Sequence, residues 1–315
     1  MNNLRFEIDL VYLWVDGSDP KWLAKKQAFT DQVDDNSEAN NKGRYANNEE
    51  LKYSLRSAAQ HVPWIRRIFI VTDNQAPDWL DTNHPKIQLV DHREILPSES
   101  LPCFNSSVIE YFLYRIPNLS EHFLFANDDM FFNADLLADF FFAPDGHPIV
   151  RLKRKRLGKW RHRIKGLVGK KLGQYARMVA DASALIEEKF GKYYAGVPHH
   201  NVDAYRKSDY LKAVEEVFSE QVLQSQTHRT RTYGDLHRSA FSYYALAIGR
   251  GHMKYVRRKE SGRILVYKHN FAGYLEEHGS KLFCLNDNQH VDDRDRQKIR
   301  PFLANHYPVP SMFEK

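Results

Sequence analysis

The sequence is poor in cysteine and has no long apolar run. Cys103 and Cys284 are its two cysteines among 315 residues, and neither stands in a C-x-x-C pair, which excludes a disulfide framework and a cysteine zinc knuckle. No window approaches the roughly 18 to 20 uninterrupted apolar residues of a bilayer-crossing helix. The first residues lack a basic region followed by an apolar signal core. We therefore expect a cytoplasmic protein, in which any metal rests on oxygen ligands or histidine.

Acidic residues are missing from one stretch of the chain. From Arg151 to Arg177 there are twelve lysines or arginines and no aspartate or glutamate, within a chain of net charge +6. We interpret residues 151–195 as a basic helical insertion with an anionic partner: a nucleic acid, an anionic membrane or an anionic acceptor polymer. Trp160 and Tyr175 are too few aromatics for base stacking. Peripheral contact with the inner face of the plasma membrane, or with a polymer, is favoured, and no nucleic-acid partner is expected.

The apolar segments alternate between strand-like and helix-like patterns. Short runs rich in β-branched and aromatic residues, each followed by turn-forming residues, occupy positions 8–15, 68–71, 87–90 and 123–126. A helical stripe with a plausible cap, from about Asn48 to His61, separates the first two. This order predicts an α/β fold, a mainly parallel twisted sheet with flanking helices. We predict an α/β core over residues 1–150, the basic insertion, and a completing part over residues 196–315.

Acidic residues stand at the end of the strand at 123–126, in the triplet Asn127-Asp128-Asp129. Open α/β sheets bind ligands at such strand ends. Divalent cations such as Mg²⁺ prefer carboxylate oxygens and bind through one or two of them together with substrate phosphates. The triplet is also a good turn former, so a purely structural role stays open. Asp16, after the first strand, could contact a ligand at the same edge or only form an Asp-Gly turn.

Other polar residues have the chemistry that phosphate transfer needs. Arg44 and Arg231 could each clamp a phosphate through a planar fork of donors, a role that lysine fills less well. His199 follows a proline and could accept a proton near neutral pH. Asp287 follows a short apolar run and could be a further metal ligand or part of an ordinary turn. A structural role is the alternative for each of them.

Four separated blocks together resemble the Stealth family. This family includes bacterial capsule and exopolysaccharide phosphotransferases and the catalytic subunit of the animal lysosomal N-acetylglucosamine-1-phosphotransferase. The blocks are IDLVYLWVDGSD at 8–19; RYANNEEL at 44–51 running through YSLRS, PWI and IFIVTD to FANDD at 125–129; Pro198-His199 with HRTR at 228–231 and FSY at 241–243; and CLNDN at 284–288. The first two blocks span nearly all of the first 135 residues.

The resemblance implies a reaction. A UDP-sugar is the donor, a divalent cation, Mg²⁺ or Mn²⁺, is the cofactor, and the hydroxyl of an acceptor polysaccharide or oligosaccharide attacks the phosphorus next to the sugar. A hexose 1-phosphate is transferred, a phosphodiester forms in a capsular or exopolysaccharide, and UMP is released. Residues 1–150 would then be the nucleotide-sugar-binding core.

The resemblance also implies roles for individual residues. Metal and diphosphate binding fall to Asp128, Asp129 and Asp287, and phosphate binding to Arg44 and Arg231. The donor pocket would be lined by Asp16, Asn47, Asp73 and Asn127. The base would be His199 or His228. Some members carry a further histidine three positions before the Pro-His pair, where this chain has Gly196.

Two other functions compete with phosphotransfer. A glycosyltransferase would use the same donor but break the anomeric bond, and it would release UDP instead of UMP. A non-enzymatic protein that binds polysaccharide or membrane would explain residues 151–177. It would leave the acidic residues at the strand ends without a purpose.

Overall fold

The computed structural model describes residues 6–30, 42–155, 160 and 173–315. In these ranges the strands are β1 (Ile8–Leu13), β2 (Ile68–Thr72), β3 (Ile87–Asp91), β4 (His122–Asn127), β5 (Met130–Phe132), β6 (Ile149–Lys153), β7 (Val197–Pro198), β8 (Asp203–Arg206), β9 (His252–Tyr255), β10 (Ser261–Leu265) and β11 (Leu282–Asn286). The α-helices are α1 (Pro20–Phe29), α2 (Glu50–His61), α3 (His92–Ile95), α4 (Ser106–Tyr111), α5 (Gln174–Phe190), α6 (Lys207–Lys212), α7 (Ser219–Ser225), α8 (Ser239–Ala247), α9 (Phe271–His278), α10 (Asp293–Arg296) and α11 (Ile299–His306).

The central sheet has five strands in the order β3-β2-β1-β4-β8. The first four are parallel to their neighbours, and β8 runs antiparallel to β4 at one edge. The predicted α/β fold with a mainly parallel sheet is confirmed. Because parallel strands end at the same edge, the segments that follow β1, β2 and β4 meet there.

Helices and strands cover both faces of this sheet. On β1, Val11 and Leu13 belong to one apolar cluster with residues of α4, α5 and α8. Leu10 and Tyr12 point the other way, into a cluster with α2, β5 and β11. Burial on both faces explains why the strand reads as a continuous apolar run.

Asp9 is the charged exception in that strand. Its side chain is fully buried and accepts hydrogen bonds from the Arg66 guanidinium at 2.8 and 2.6 Å and from the backbone N–H of Ser120 at 2.7 Å. These donors compensate the charge where the carboxylate has no access to water.

Two three-stranded sheets, β10-β11-β5 and β7-β6-β9, complete the described strands. In the second sheet, residues 151–153, which the composition assigned to the basic insertion, lie in β6, which pairs with β7 and β9. Arg151 is buried, stacks its guanidinium 3.7 Å from the Phe140 ring centroid and donates to the Phe140 carbonyl. It is therefore not available to a membrane surface. Residues 156–159 and 161–172 of the predicted insertion lie outside the described residues, and no helix among the described ones is long and apolar enough to span a bilayer.

The start of α2 differs from the capped helix that the sequence predicts. The N-cap residue Glu49 has φ of 64° and makes no capping hydrogen bond with its side chain. Instead, Asn48 donates from its backbone N–H and from Nδ2 to the carboxylate of Glu50, both at 2.6 Å. The Asn-Glu segment thus holds Glu50 in place in the first turn of the helix.

Candidate active site

A cavity of about 220 Å³ opens at the carboxyl edge of the central sheet. It is lined by residues at or just after the ends of three of its strands, namely Trp14 after β1, Val71 in β2 and the turn after β4. Asn286 and Asp287 at the end of β11 also line it. We call this cavity the donor pocket. Of the residues predicted for the site, the structure places Arg44, Asn127, Asp128, Asp129, Arg231 and Asp287 in its lining.

Three carboxylates lie together in the donor pocket. Asp128 and Asp129 occupy the tight turn between β4 and β5, and Glu50 approaches them from the first turn of α2. Burial raises the pKa of Glu50 to about 7, despite the hydrogen bonds from Asn48, and the charge of Asp129 adds to the rise. Burial, with the charges of Glu50 and Asp129, also raises the pKa of Asp128 well above its usual range. A positive charge bound beside these three carboxylates would relieve their mutual repulsion.

The surroundings of Asp129 fit a bound cation. Its Oδ2 accepts a hydrogen bond from the thiol of Cys284 at 3.1 Å, while Oδ1 is buried with no hydrogen-bond partner among the described residues. Burial raises its pKa to about 6, although the Cys284 hydrogen bond and the charge of Arg263 oppose this. This unpartnered buried oxygen lies beside two more carboxylates, and carboxylate oxygens are the ligands that Mg²⁺ and Mn²⁺ prefer.

The pKa of Asp129 predicts a pH-dependent stability. The folded chain holds this proton more tightly than the unfolded chain, in which the pKa is about 3.9. The stability that protonation contributes is therefore fully present below about pH 4 and is lost as the pH rises through about 6. Without divalent cations, Asp129→Asn should gain stability relative to the parent between pH 4.5 and 7.5. The gain should be roughly 1 to 2 kcal/mol, after allowance for partial solvent screening.

Urea unfolding at both pH values measures this difference, and Mg²⁺ at pH 7.5 should reduce it because the cation stabilises the parent selectively. Asp139→Asn is the control, since its side chain is exposed on the protein surface. If Asp129→Asn and the parent differ in free energy of unfolding by the same amount at the two pH values, the charge on Asp129 does not destabilise the folded protein.

Positively charged groups line the same cavity. Arg231 lies in the segment before α8 and donates from Nη2 to the hydroxyl of Ser106 at the start of α4. Arg44 lies just before α2. Burial raises the pKa of Glu110, and the charges of Arg238, Arg231 and Arg44 oppose this rise, so all three guanidinium groups lie near this carboxyl group. The pocket therefore combines a group of carboxylates with a group of guanidinium ions.

An aromatic group forms a further part of the lining. The ring of Trp22 lies 5.2 Å from that of Tyr45 and 5.4 Å from that of Phe104, between centroids. Its indole Nε1 is buried and has no hydrogen-bond partner among the described residues. The loop that carries Tyr45 is held against Gly17, where a Cβ would lie 2.1 Å from the Tyr45 carbonyl oxygen. Such a surface, with one unused donor, suits a flat heterocycle with carbonyl oxygens.

His200 and His237 line the donor pocket, whereas the predicted bases His199 and His228 do not. Burial lowers the pKa of His237 to about 3, and its Nδ1 accepts the backbone N–H of Ser239 at 3.1 Å. Its proton is therefore on Nε2. The ring of Tyr175 is nearly perpendicular to both histidine rings, at centroid distances of 5.8 Å to His200 and 5.3 Å to His237.

His200 presents an unprotonated nitrogen. Arg263 donates twice to Oδ1 of Asn286, at 3.2 and 2.6 Å, which turns Nδ2 of Asn286 toward His200 Nε2 at 3.4 Å. Because Nδ2 is a donor, Nε2 must accept, and the contact is long enough to be weak. Burial and the charge of Arg263 keep its pKa well below the usual value, so the ring is neutral. Its φ of +60°, uncommon for a residue other than glycine, is typical of functional sites.

His199 and His228 have other partners. His199 is fully buried, with Nδ1 2.9 Å from the Ser261 hydroxyl and Nε2 3.1 Å from Asp203. His228 lies 2.6 Å from Asp235 and does not line the pocket. Gly196 is tightly packed, because a Cβ there would lie 2.8 Å from that of Leu152. This chain therefore has no room for the additional family histidine at position 196 without a shift of the backbone.

The remaining predicted residues lie at the edge of the site or outside its lining. Asp287 lines the pocket, but Arg296 binds its carboxylate at 2.7 and 3.2 Å, so it is already neutralised. Asp16 accepts from the N–H and hydroxyl of Ser18, as an Asp-Gly turn would. Asn47 accepts the N–H of Glu49, and Asp73 forms an ion pair with Lys25 at 2.6 Å. These last three do not line the donor pocket.

A separate group of possible metal ligands lies on the surface. Asp145, His147 and His252 bring their ligand atoms within 4.8 Å of one another. Asp145 is also 2.8 Å from His252 Nε2 and 3.2 Å from His147 Nδ1, so ion pairing accounts for the cluster as well. None of the three lines the donor pocket.

Comparison with known proteins gives the family. Stealth protein conserved region 1 matches residues 6–34, and conserved region 2 matches residues 44–150. An exopolysaccharide phosphotransferase of Streptomyces coelicolor is 34% identical over 98% of this chain. CpsY, an exopolysaccharide phosphotransferase of Mycobacterium tuberculosis, is 33% identical, and SacB, a capsular polysaccharide phosphotransferase of Neisseria meningitidis serogroup A, is 31% identical, each over 98% of the chain. The chain belongs to the Stealth family.

The chain is shorter than these relatives and spans 52%, 58% and 57% of their respective lengths. Among solved structures, the galactosyltransferase LgtC with donor and acceptor sugar analogs aligns over 96% of both chains, with a TM-score of 0.48 and 10% identity. The glycosyltransferase GlyE of Streptococcus pneumoniae aligns over 96% of this chain and 61% of its own, with a TM-score of 0.45 and 11% identity. Similarity at this level carries no argument about activity.

Proposed function

We propose that this chain transfers a hexose 1-phosphate from a UDP-sugar to a hydroxyl of an acceptor saccharide, forming a phosphodiester and releasing UMP. One observation carries the proposal. Three carboxylates with no ion pair among the described residues share a cavity with Arg44 and Arg231, which is the arrangement that a metal-bound diphosphate needs. The named relatives, exopolysaccharide and capsular polysaccharide phosphotransferases, support phosphotransfer to a polysaccharide.

The parts of the pocket match the parts of the donor. The Trp22, Tyr45 and Phe104 rings suit the uracil base, with Trp22 Nε1 as a donor to one of its carbonyl oxygens. Arg44 and Arg231 suit the diphosphate, because guanidinium groups pair with phosphate oxygens through two parallel hydrogen bonds. A divalent cation held by Asp128 and Asp129, with Glu50 beside them, would neutralise charge on the diphosphate.

The transfer step needs a base and stabilisation of negative charge. The acceptor oxygen forms a bond to the phosphorus next to the sugar, the bridging P–O bond breaks, and UMP leaves with that electron pair. His200 Nε2 takes the proton of the acceptor hydroxyl, since it is an unprotonated ring nitrogen at the boundary of the pocket. Arg231 and Arg44 stabilise the charge that spreads over the phosphate oxygens.

The nucleotide product distinguishes this reaction from glycosyl transfer. Purified protein, Mg²⁺ or Mn²⁺, and a panel of UDP-sugars with and without oligosaccharide acceptors should yield UMP. Chromatographic separation of UMP from UDP, with ³¹P NMR of the saccharide product, checks both the bond broken and the bond formed. Release of UDP with no phosphodiester would show that the pocket serves a glycosyltransferase.

Arg231→Lys should lower kcat/KM for UMP release by about 30- to 1,000-fold, although the charge is kept. An ammonium cannot reproduce the two parallel hydrogen bonds of a guanidinium to a phosphate, and losing such a contact in the transition state costs about 2 to 4 kcal/mol. Arg229→Lys is the matched control, because Arg229 donates to the Pro102 carbonyl and does not line the pocket. Parent-like kinetics of Arg231→Lys would remove Arg231 from phosphate binding.

A further inference from the structure

A second cavity, of about 260 Å³, adjoins the donor pocket. Both cavities are lined by Tyr175, Pro198 and His200, so these residues form the boundary between them. If the donor occupies the first cavity, as the proposed function requires, a molecule in the second cavity also contacts His200. This is the position that an acceptor hydroxyl needs for its proton to pass to His200 as it attacks the phosphorus.

The charge of the second cavity is of one sign. Lys153, Lys155 and Arg263 line it, and its described lining contains no aspartate or glutamate. Lys153 is half-buried on β6, where burial lowers its pKa to about 8, and the charge of Arg263 adds to this effect. A partly desolvated ammonium beside a guanidinium is costly unless an anion binds there.

Tyrosine rings form the rest of the wall. Tyr194 stacks on the buried Tyr243 at 5.7 Å with an angle of 18° between the rings, and Tyr243 in turn donates its hydroxyl to the Gly196 carbonyl. Tyr193 and Tyr175 also line the cavity. Rings held in place by packing provide apolar surface with polar tips, which suits a sugar ring.

We infer that the second cavity binds the acceptor and selects a saccharide that carries a phosphate group. Lys153, Lys155 and Arg263 bind the phosphate, and the tyrosines contact the sugar. The product of the proposed transfer carries a phosphodiester, so it has the chemistry of the acceptor that this cavity selects. Because the product resembles the acceptor in this way, repeated addition to the same saccharide follows.

Direct binding tests the inference separately from transfer. Isothermal titration calorimetry without donor compares a disaccharide joined by a phosphodiester with the same two sugars joined by a glycosidic bond. The phosphodiester should bind at least ten-fold more tightly to the parent at physiological salt, with a preference that decreases as salt rises. Lys153→Met and, separately, Lys155→Met should each reduce this preference several-fold. The control Lys212→Met removes an exposed lysine of α6, which is paired with Glu216, and should leave the preference unchanged.

Two outcomes would overturn the inference: equal affinity of the parent for both disaccharides, or an unchanged preference in both lysine variants. Lys155 is exposed, so its variant tests the cavity even where Lys153→Met does not fold. Failure of the proposed function is a different result, namely no UMP from any UDP-sugar. Tight, lysine-dependent binding of the phosphodiester would support the cavity assignment in that case too.

Discussion

Asp128→Asn should lower UMP release by about 1,000-fold or more and leave the fold intact. The substitution keeps the shape of the side chain but removes a charge from the three-carboxylate group, in which burial and the charges of Glu50 and Asp129 raise the pKa of Asp128. Loss of a contact to a cation on the diphosphate costs about 4 kcal/mol or more in the transition state. Steady-state kinetics with saturating Mg²⁺ measures the effect.

Chelation and stability distinguish this role from a structural one. EDTA should abolish activity of the parent, and Mg²⁺ or Mn²⁺ should restore it. Without divalent cations, Asp128→Asn should unfold at the same or a higher temperature than the parent, because it relieves repulsion between neighbouring carboxylates. The control Asp135→Asn changes an exposed carboxylate paired with His61 and should keep full activity. Full activity of Asp128→Asn in EDTA would contradict a metal site at this turn.

His200→Gln should lower kcat by about 100- to 10,000-fold, the range that a general base contributes, with a smaller effect on KM for the donor. Glutamine retains hydrogen bonding but cannot take up the proton of the acceptor hydroxyl. The acidic limb of the pH profile of kcat, which reports protonation of this base, should disappear in the variant. The low pKa of His200 places that limb below the ordinary value for histidine.

The control for the base is His228→Gln. This histidine pairs with Asp235 away from the donor pocket, and its variant should stay within a few-fold of the parent. If His228→Gln loses activity as strongly as His200→Gln and both remain folded, the assignment of the base to His200 is wrong. A KM effect alone in His200→Gln would indicate that the side chain positions the donor and does not move a proton.

The predicted membrane contact receives no support from the described part of the chain. It rested on residues 151–177 acting as one exposed basic surface. Arg151 is instead packed against Phe140, and Lys153 lines the second cavity. Composition alone does not distinguish a basic surface from a basic cavity, because the difference depends on which side chains β6 turns inward.

The sequence by itself determined what local patterns encode: β1, β2 and β4 as buried strands, α2 as an amphipathic helix, and Asp128-Asp129 at the end of a strand. Periodicity and turn chemistry act over a few residues, so they are readable without the fold. Glu50 gave no such signal, because its carboxylate lies in the site only after α2 packs beside the β4–β5 turn, 78 positions further along the chain. The identity of the proposed base also depends on the fold. His199 and His200 are neighbours in sequence, but the left-handed backbone at His200 places its ring in the donor pocket. His199 is instead buried against Ser261 and Asp203. Burial, pKa and tautomer depend on these long-range contacts, which only the tertiary structure decided.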